Sequence, residues 1–428
     1  MESSGTIAAI ELFVGLVSAA AIVALLVRRI AIPYTVALVV LGLVATTLLP
    51  GERFQVTPEL VLLVLVPGLV FEAALRIEIG DLRTSFGGVV LLAVPGVLVT
   101  AAIVATILNI ATGLRFDLGF VVGAMVAATD PVAVISTFRQ LGSPRRLATL
   151  IEAESLFNDG TALVVFAVAI QVVVAGEVAP VAASLAMAVT VVVSTVIGLV
   201  VGYAVSRLIA TVDDHLVELT LSLAAAYGTY LLADRTGQSG IIATVVAGLV
   251  VGNYGRRLGM SPRTSEALDT VWEFFAFLVT ALVFLLIGLT ISVGQLLNAV
   301  PEIIWGVVAV LIARALVVYG LLGGASRIAA ITGRRRVPIG WLHVLFWAGL
   351  RGAVAVAMAL SLPLDFPERT LLQEITFGIV LFTLLVQGTS VEWVIERVGA
   401  GQPANEGQRR RDRAGDRGTV VSAGDRQS

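Results

Sequence analysis

The sequence predicts an all-α polytopic membrane protein of about thirteen transmembrane helices, and three observations predict it. First, 58% of the 428 residues are hydrophobic and only 14% are charged, with a mean hydropathy of +0.99. A soluble domain holds about 45–50% apolar and about 25% charged residues. Second, cutting the chain at charges, Gly/Pro clusters and polar runs leaves thirteen apolar stretches, most near the ~20 residues that cross a bilayer. Third, arginine alternates in density from one connecting loop to the next, as the positive-inside rule requires of a polytopic chain.

Taken in order, the spans are 6–27, 30–49, 60–79, 87–111, 118–137, 148–174, 180–209, 216–233, 239–254, 271–292, 300–324, 338–362 and 371–395. The first reads as a retained span rather than a cleaved leader, because Glu2 precedes it and Arg28-Arg29 follow it, the reverse of a signal peptide. Loops after odd spans carry Arg28, Arg29, Arg83, Arg139, Arg145, Arg146, Arg207, Arg256, Arg257, Arg263, Arg327 and Arg334 to Arg336. Loops after even spans carry Arg53, Arg115, Arg235 and Arg369. The amino terminus is therefore expected outside and the carboxyl terminus in the cytoplasm. Residues 398–428 lose their hydropathy to Gly, Arg, Asp, Gln and Ser and read as a disordered cytoplasmic tail.

Composition also excludes functions. A net charge of −2 argues against a nucleic-acid partner, which calls for a basic face. Cysteine is absent and all 28 basic residues are Arg. Thiolate metal sites, a P-loop for nucleotide and Schiff-base chemistry are thereby removed. Neither an enzyme nor a cofactor-bearing protein is expected. An odd number of spans lets spans 1–6 and 8–13 run with opposite topology, the inverted-repeat plan. A short likeness between Val126–Val134 (VAATDPVAV) and Gly349–Val356 (GLRGAVAV) fits that plan.

The informative residues are charges near span centres: Glu72, Asp130, Asp159, Arg314 and Arg351, with Glu154 about a turn off centre. Each costs about 2.5–3.5 kcal/mol at mid-membrane, so five together cost on the order of 15 kcal/mol unless paired, hydrated or neutralised. Buried Arg–carboxylate pairs that lock helices together are one reading, and Glu72, Arg314 and Arg351 suit it as well as any functional role. Asp130 and Asp159 point elsewhere. In Thr129-Asp130-Pro131 the proline cannot donate an N–H and breaks the helix, freeing carbonyls near Ala127. Non-helical backbone at this depth is tolerated where it is buried or lines a wet cavity. In ESLFNDG (Glu154–Gly160), Ser155 and Asp159 share one helix face, and Glu154 and Asn158 share the next. Together these supply enough hard oxygens for one small dehydrated cation. Gly349 and Gly352 weaken the helix around Arg351. Arg351 could hold Glu72 or Glu154, and Arg314 could neutralise half-helix ends. His215 and His343 have no metal-ligand spacing and read as structural.

With LVPGLVFEAAL (Leu65–Leu75), VAATDPVAV, ESLFNDG, IIATVVAGLVVGN (Ile241–Asn253), the Ile-Ala-Arg at Arg314 and GLRGAVAV in this order, the chain resembles the type 1 branch of the monovalent cation:proton antiporters. That branch holds bacterial and archaeal sodium/proton antiporters and the sodium/hydrogen exchangers of eukaryotes. The resemblance covers about residues 6–397. It implies thirteen helices, a cell-membrane homodimer in the lipid bilayer, and discontinuous helices 5 and 12 crossing beside an ion site. Within residues 1–397 it implies an interface domain from helices 1–3 and 7–10 and a core from helices 4–6 and 11–13. It implies exchange of Na+ or Li+ for H+, with Thr129, Asp130, Ser155 and Asp159 as Na+ ligands and Glu154 nearby. Asn158 matches the Asn of the branch's Asn-Asp pair, Glu72 and Arg351 its polar bridge, and Arg314 its helix-11 basic residue. Ala153 and Thr280-Ala281 depart from the family pattern. The competing readings are a K+/H+ antiporter of the same fold and a cation channel. An intramembrane aspartyl protease lacks its sequence contexts here, and a zinc protease lacks His-Glu-x-x-His.

Overall fold

The structure is a computed structural model that describes residues 2–27, 33–48, 57, 59–176, 180–212, 214–331 and 337–399. Arg28, Arg29, Arg53, Arg334 to Arg336 and the expected disordered tail beyond Gly399 lie outside the described residues. Among the described residues every regular element is helical, and each of the thirteen apolar stretches coincides with helix. Eight of these helices are long and apolar enough to cross a membrane by length and composition. Others are shorter or broken, such as Tyr34–Leu48 and the pair Ile339–Trp347 and Ala353–Leu360, so thirteen crossings remains a reading of the sequence.

Two helices begin well before their apolar stretch, at Ile79 and at Pro262. Hydropathy locates the apolar slab, whereas a helix starts at its cap. Ser261 accepts the Thr264 N–H at 3.1 Å and Pro262 occupies the first turn, where a proline loses no helical hydrogen bond. Asp214 and Ser239 cap the helices His215–Arg235 and Gly240–Val250 in the same way. The fourth span is itself divided at Pro95 into Ile79–Ala93 and Pro95–Thr112.

Small residues let helices meet backbone to backbone, the usual packing device where apolar burial gives no advantage over lipid. Tyr34–Leu48 and Pro262–Thr290 cross at Gly42 and Gly288, where a Cβ on Gly42 would come within 2.9 Å of the Gly288 backbone. Four π-helical turns (Leu60–Leu65, Val251–Gly255, Leu316–Leu322 and Thr383–Gln387) interrupt otherwise regular helices.

The site is placed by two broken helices. Phe116–Ala127 stops, residues 128–131 run without helix, and Val132–Leu141 resumes. Ile339–Trp347 and Ala353–Leu360 repeat the arrangement around residues 348–352. The two breaks touch: the Asp130 N–H donates to the Leu350 carbonyl at 2.9 Å. Two freed backbone groups thus satisfy each other where water is scarce.

Candidate functional site

A broken helix exposes two kinds of end, a partial positive charge at each half-helix N-terminus and a partial negative charge at each C-terminus. The side chains at the crossing answer both. The Asp130 carboxylate accepts the Val132 N–H at 3.0 Å and also an N–H from Ala353. One carboxylate therefore meets the N-termini of Val132–Leu141 and Ala353–Leu360 together. The C-terminal ends receive arginines. Arg351 Nη1 donates to the Ala128 carbonyl at 3.5 Å. Arg314 donates to the Leu345 carbonyl through Nε at 3.2 Å and Nη2 at 2.8 Å. Gly352 is required beside Asp130, since a Cβ there would fall 2.7 Å from the carboxyl carbon.

Side chains of the long helix Arg145–Ala175 bond to the first break. Ser155 donates its hydroxyl to the Thr129 carbonyl. Asn158 donates to the Thr129 hydroxyl at 2.7 Å and accepts the Thr129 N–H at 3.4 Å. Four residues after Ser155 on the same face, Asp159 is buried, and its Oδ1 makes no hydrogen bond among the described residues. A cavity of about 320 Å3 is lined by Thr129, Asp130, Ser155 and Asp159, and also by Glu72, Arg76, Glu152 and Glu273.

Thr129, Asp130, Ser155 and Asp159 are thus brought together, with Asn158 as the buttress of the broken segment. Glu154 takes a different direction. It forms a bidentate ion pair with Arg314, Nη2 to Oε2 at 3.1 Å, and does not line the cavity. The bridge expected between Glu72 and Arg351 is corrected. Glu72 pairs with Arg76 on its own helix, while Arg351, 1% exposed, turns to Ala128. Local geometry decides this, because residues four apart on a helix meet without any tertiary adjustment.

Reasoning from the sequence missed Arg76, Glu152 and Glu273 as cavity residues, although the spacing of Glu72 and Arg76 was a signal for that pair. It also missed Thr383, whose hydroxyl accepts the Arg351 backbone N–H at 3.1 Å. That threonine opens a π-helical turn, which no apolar pattern announces.

Comparison with known proteins identifies the family. The family model described as sodium/hydrogen exchanger, transmembrane, matches residues 16–397. The chain is 40% identical over 371 residues to the Na(+)/H(+) antiporter ApNhaP of Aphanothece halophytica, covering 86% of this chain and 70% of that protein. It is 36% identical over 352 residues to the Na(+)/H(+) antiporter NhaP of Pseudomonas aeruginosa, covering 80% and 82%. In fold it is similar to the sodium proton antiporter MjNhaP1 from Methanocaldococcus jannaschii, with a TM-score of 0.77 at 21% identity over 93% of this chain and 100% of that one. With the family model spanning most of the chain and its relatives sharing more than a third of their aligned residues, this multi-span membrane protein belongs to the sodium/hydrogen exchanger family.

Proposed function

We propose that the chain is a secondary antiporter that exchanges Na+, or Li+, for H+ across the cell membrane and so serves pH and sodium homeostasis. The observation that carries the proposal is Asp159: a buried carboxylate with an oxygen that has no hydrogen-bond partner among the described residues, lining a cavity beside Asp130, Thr129 and Ser155. The names of the relatives as Na(+)/H(+) antiporters support the same cargo.

Asp130 meets two helix N-termini, whose N–H groups and dipoles favour an anion at that place. It acts as the fixed counter-charge. Asp159 lacks such support and takes either a proton or the cation, with oxygens from Thr129 and Ser155 completing a hard-ligand shell. Because one carboxylate serves both cargoes in turn, exchange is one for one and bell-shaped in pH. Acid fills the site with protons, and alkali leaves none to return. Asn158 cannot carry a proton and is committed to Thr129, which supports electroneutral exchange.

The cavity is lined from both proposed domains. Thr35, Glu72 and Thr280 belong to spans 2, 3 and 10, whereas Asp130, Asp159 and Ala353 belong to spans 5, 6 and 12. Relative movement of a core of spans 4–6 and 11–13 against an interface of spans 1–3 and 7–10 would alternate access. Arg76, Ser136 and Glu273 lie at the cavity toward the ends of spans that adjoin the arginine-rich loops. This supports a cytoplasm-facing state with the amino terminus outside and the carboxyl terminus inside. A homodimer belongs to the same reading, and Leu185–Ile209, whose most apolar 18-residue stretch is only 17% buried within the chain, leaves an apolar face for lipid or a second copy.

A channel would need a continuous pore, commonly assembled from several subunits, whereas one chain here supplies the asymmetric cluster. The test is dequenching of a pH dye in proteoliposomes on addition of NaCl, LiCl or KCl. Sodium or lithium is expected to drive proton release, and Asp159→Asn and Asp130→Asn each to abolish it in folded protein. Normal exchange by Asp159→Asn protein would end the assignment.

A further inference from the structure

The cavity holds a cation of the protein's own. Arg76 lines it together with Asp130 and Asp159, and it is ion-paired with Glu72, also a lining residue. Neither partner is bulk-exposed: the Arg76 side chain is 25% accessible and that of Glu72 13%. On the neighbouring helix Pro262–Thr290, the far more exposed Glu273, also a lining residue, lies 3.8 Å from Arg76 Nη2. In one conformation the guanidinium thus lies between two carboxylates, with Nε on Glu72 and Nη2 within 3.8 Å of the more exposed Glu273, so a small shift would carry it from one seat to the other.

We propose that Arg76 is a tethered competitor for the transported cation, and that its exchange between Glu72 and Glu273 sets the apparent affinity of the cavity. On Glu72 it adds a positive charge and occupies carboxylate oxygens that an entering cation would otherwise meet. On Glu273 it withdraws its charge from Glu72 and opens the oxygens it held to that cation. The apparent dissociation constant is the intrinsic one divided by the fraction of molecules with Arg76 moved aside. The inference rests on the exchange reading above, because the competing ligand is the transported ion.

The test measures half-saturating Na+ for proton release in proteoliposomes, at constant high ionic strength with choline chloride, which screens the general field of the charges. Arg76→Gln is expected to lower half-saturation about two- to fivefold, the range of a partly exposed ion pair, and Arg76→Lys to stay near the parent value. Glu273→Gln should raise half-saturation by removing the outer seat, and should do nothing in the Arg76→Gln background. Unchanged or raised half-saturation in folded Arg76→Gln protein would overturn the proposal. So would a Glu273→Gln effect that survives without Arg76. If Arg76→Gln protein fails to fold, Glu273→Gln alone decides, since a fall or no change contradicts the second seat. Na+ titration of detergent-purified protein by thermal shift separates the two readings. Tighter Na+ binding by Arg76→Gln without any cation-driven proton release in the parent would sink exchange and leave the competitor standing.

Discussion

Removing one side of the Glu154–Arg314 pair should be among the most damaging single changes in the molecule. The side chains are 2% and 8% exposed. Arg314 stands on Val300–Ala315, Glu154 on Arg145–Ala175, and the accepting carbonyl of Leu345 near the end of Ile339–Trp347. One guanidinium thus ties three helices. Breaking a buried pair from one side costs about 3–5 kcal/mol, because the other charge is left uncompensated. Loss of the charged donor at Leu345 overlaps with that figure, at about 1.5–3 kcal/mol on its own. Arg314→Met, which keeps most of the stem volume, is therefore expected to cost about 4 kcal/mol. Glu154→Gln keeps an acceptor and should cost about 3 kcal/mol. In the double variant neither charge is stranded, so the loss should fall short of the sum by about 2 kcal/mol or more. The assay is equilibrium unfolding in mixed detergent micelles for the four proteins of the cycle. Additivity within about 0.5 kcal/mol would refute the reasoning.

Three further outcomes follow from the site. Gly352→Ala places a methyl group against the Asp130 carboxyl, so exchange in the dye assay should fall to background while the protein still purifies; near-normal exchange would contradict the close approach. The chain has no cysteine, so Arg145→Cys, at an exposed position, should react with an impermeant maleimide only from the cytoplasmic side and Gln295→Cys only from outside, and the reverse pattern would invert the proposed topology. Exchange in proteoliposomes clamped with valinomycin should be indifferent to membrane potential, and a several-fold change in rate would refute one-for-one exchange and implicate a second titrating acid such as Glu152.

The broken helix at Asp130 was legible because its cause is local. Proline removes a donor wherever it stands, and a charge beside it in an apolar stretch has few tolerable explanations. The face shared by Ser155 and Asp159 followed from helical spacing in the same way. Pairing of the buried charges was not legible. Glu154 and Arg314 are separated by 160 positions, and several arginines and acids of similar character could have exchanged partners without altering any local pattern. The early helix starts at Ile79 and Pro262 were missed for a related reason, since hydropathy reports the apolar slab and not the capped helix around it.

By itself, then, the sequence determined the membrane-embedded all-helical class, the break at Thr129–Pro131 and the four oxygen-bearing residues nearest it, all consequences of composition and short-range geometry. Only the tertiary structure decided that Asp130 collects two helix N-termini, that Arg314 rather than Arg351 holds Glu154, and that Arg76 stands with Glu72 inside the cavity. The physical reason is that each of these depends on where distant helices cross. In a medium with little water the crossing itself dictates which freed backbone ends and stranded charges must neutralise one another.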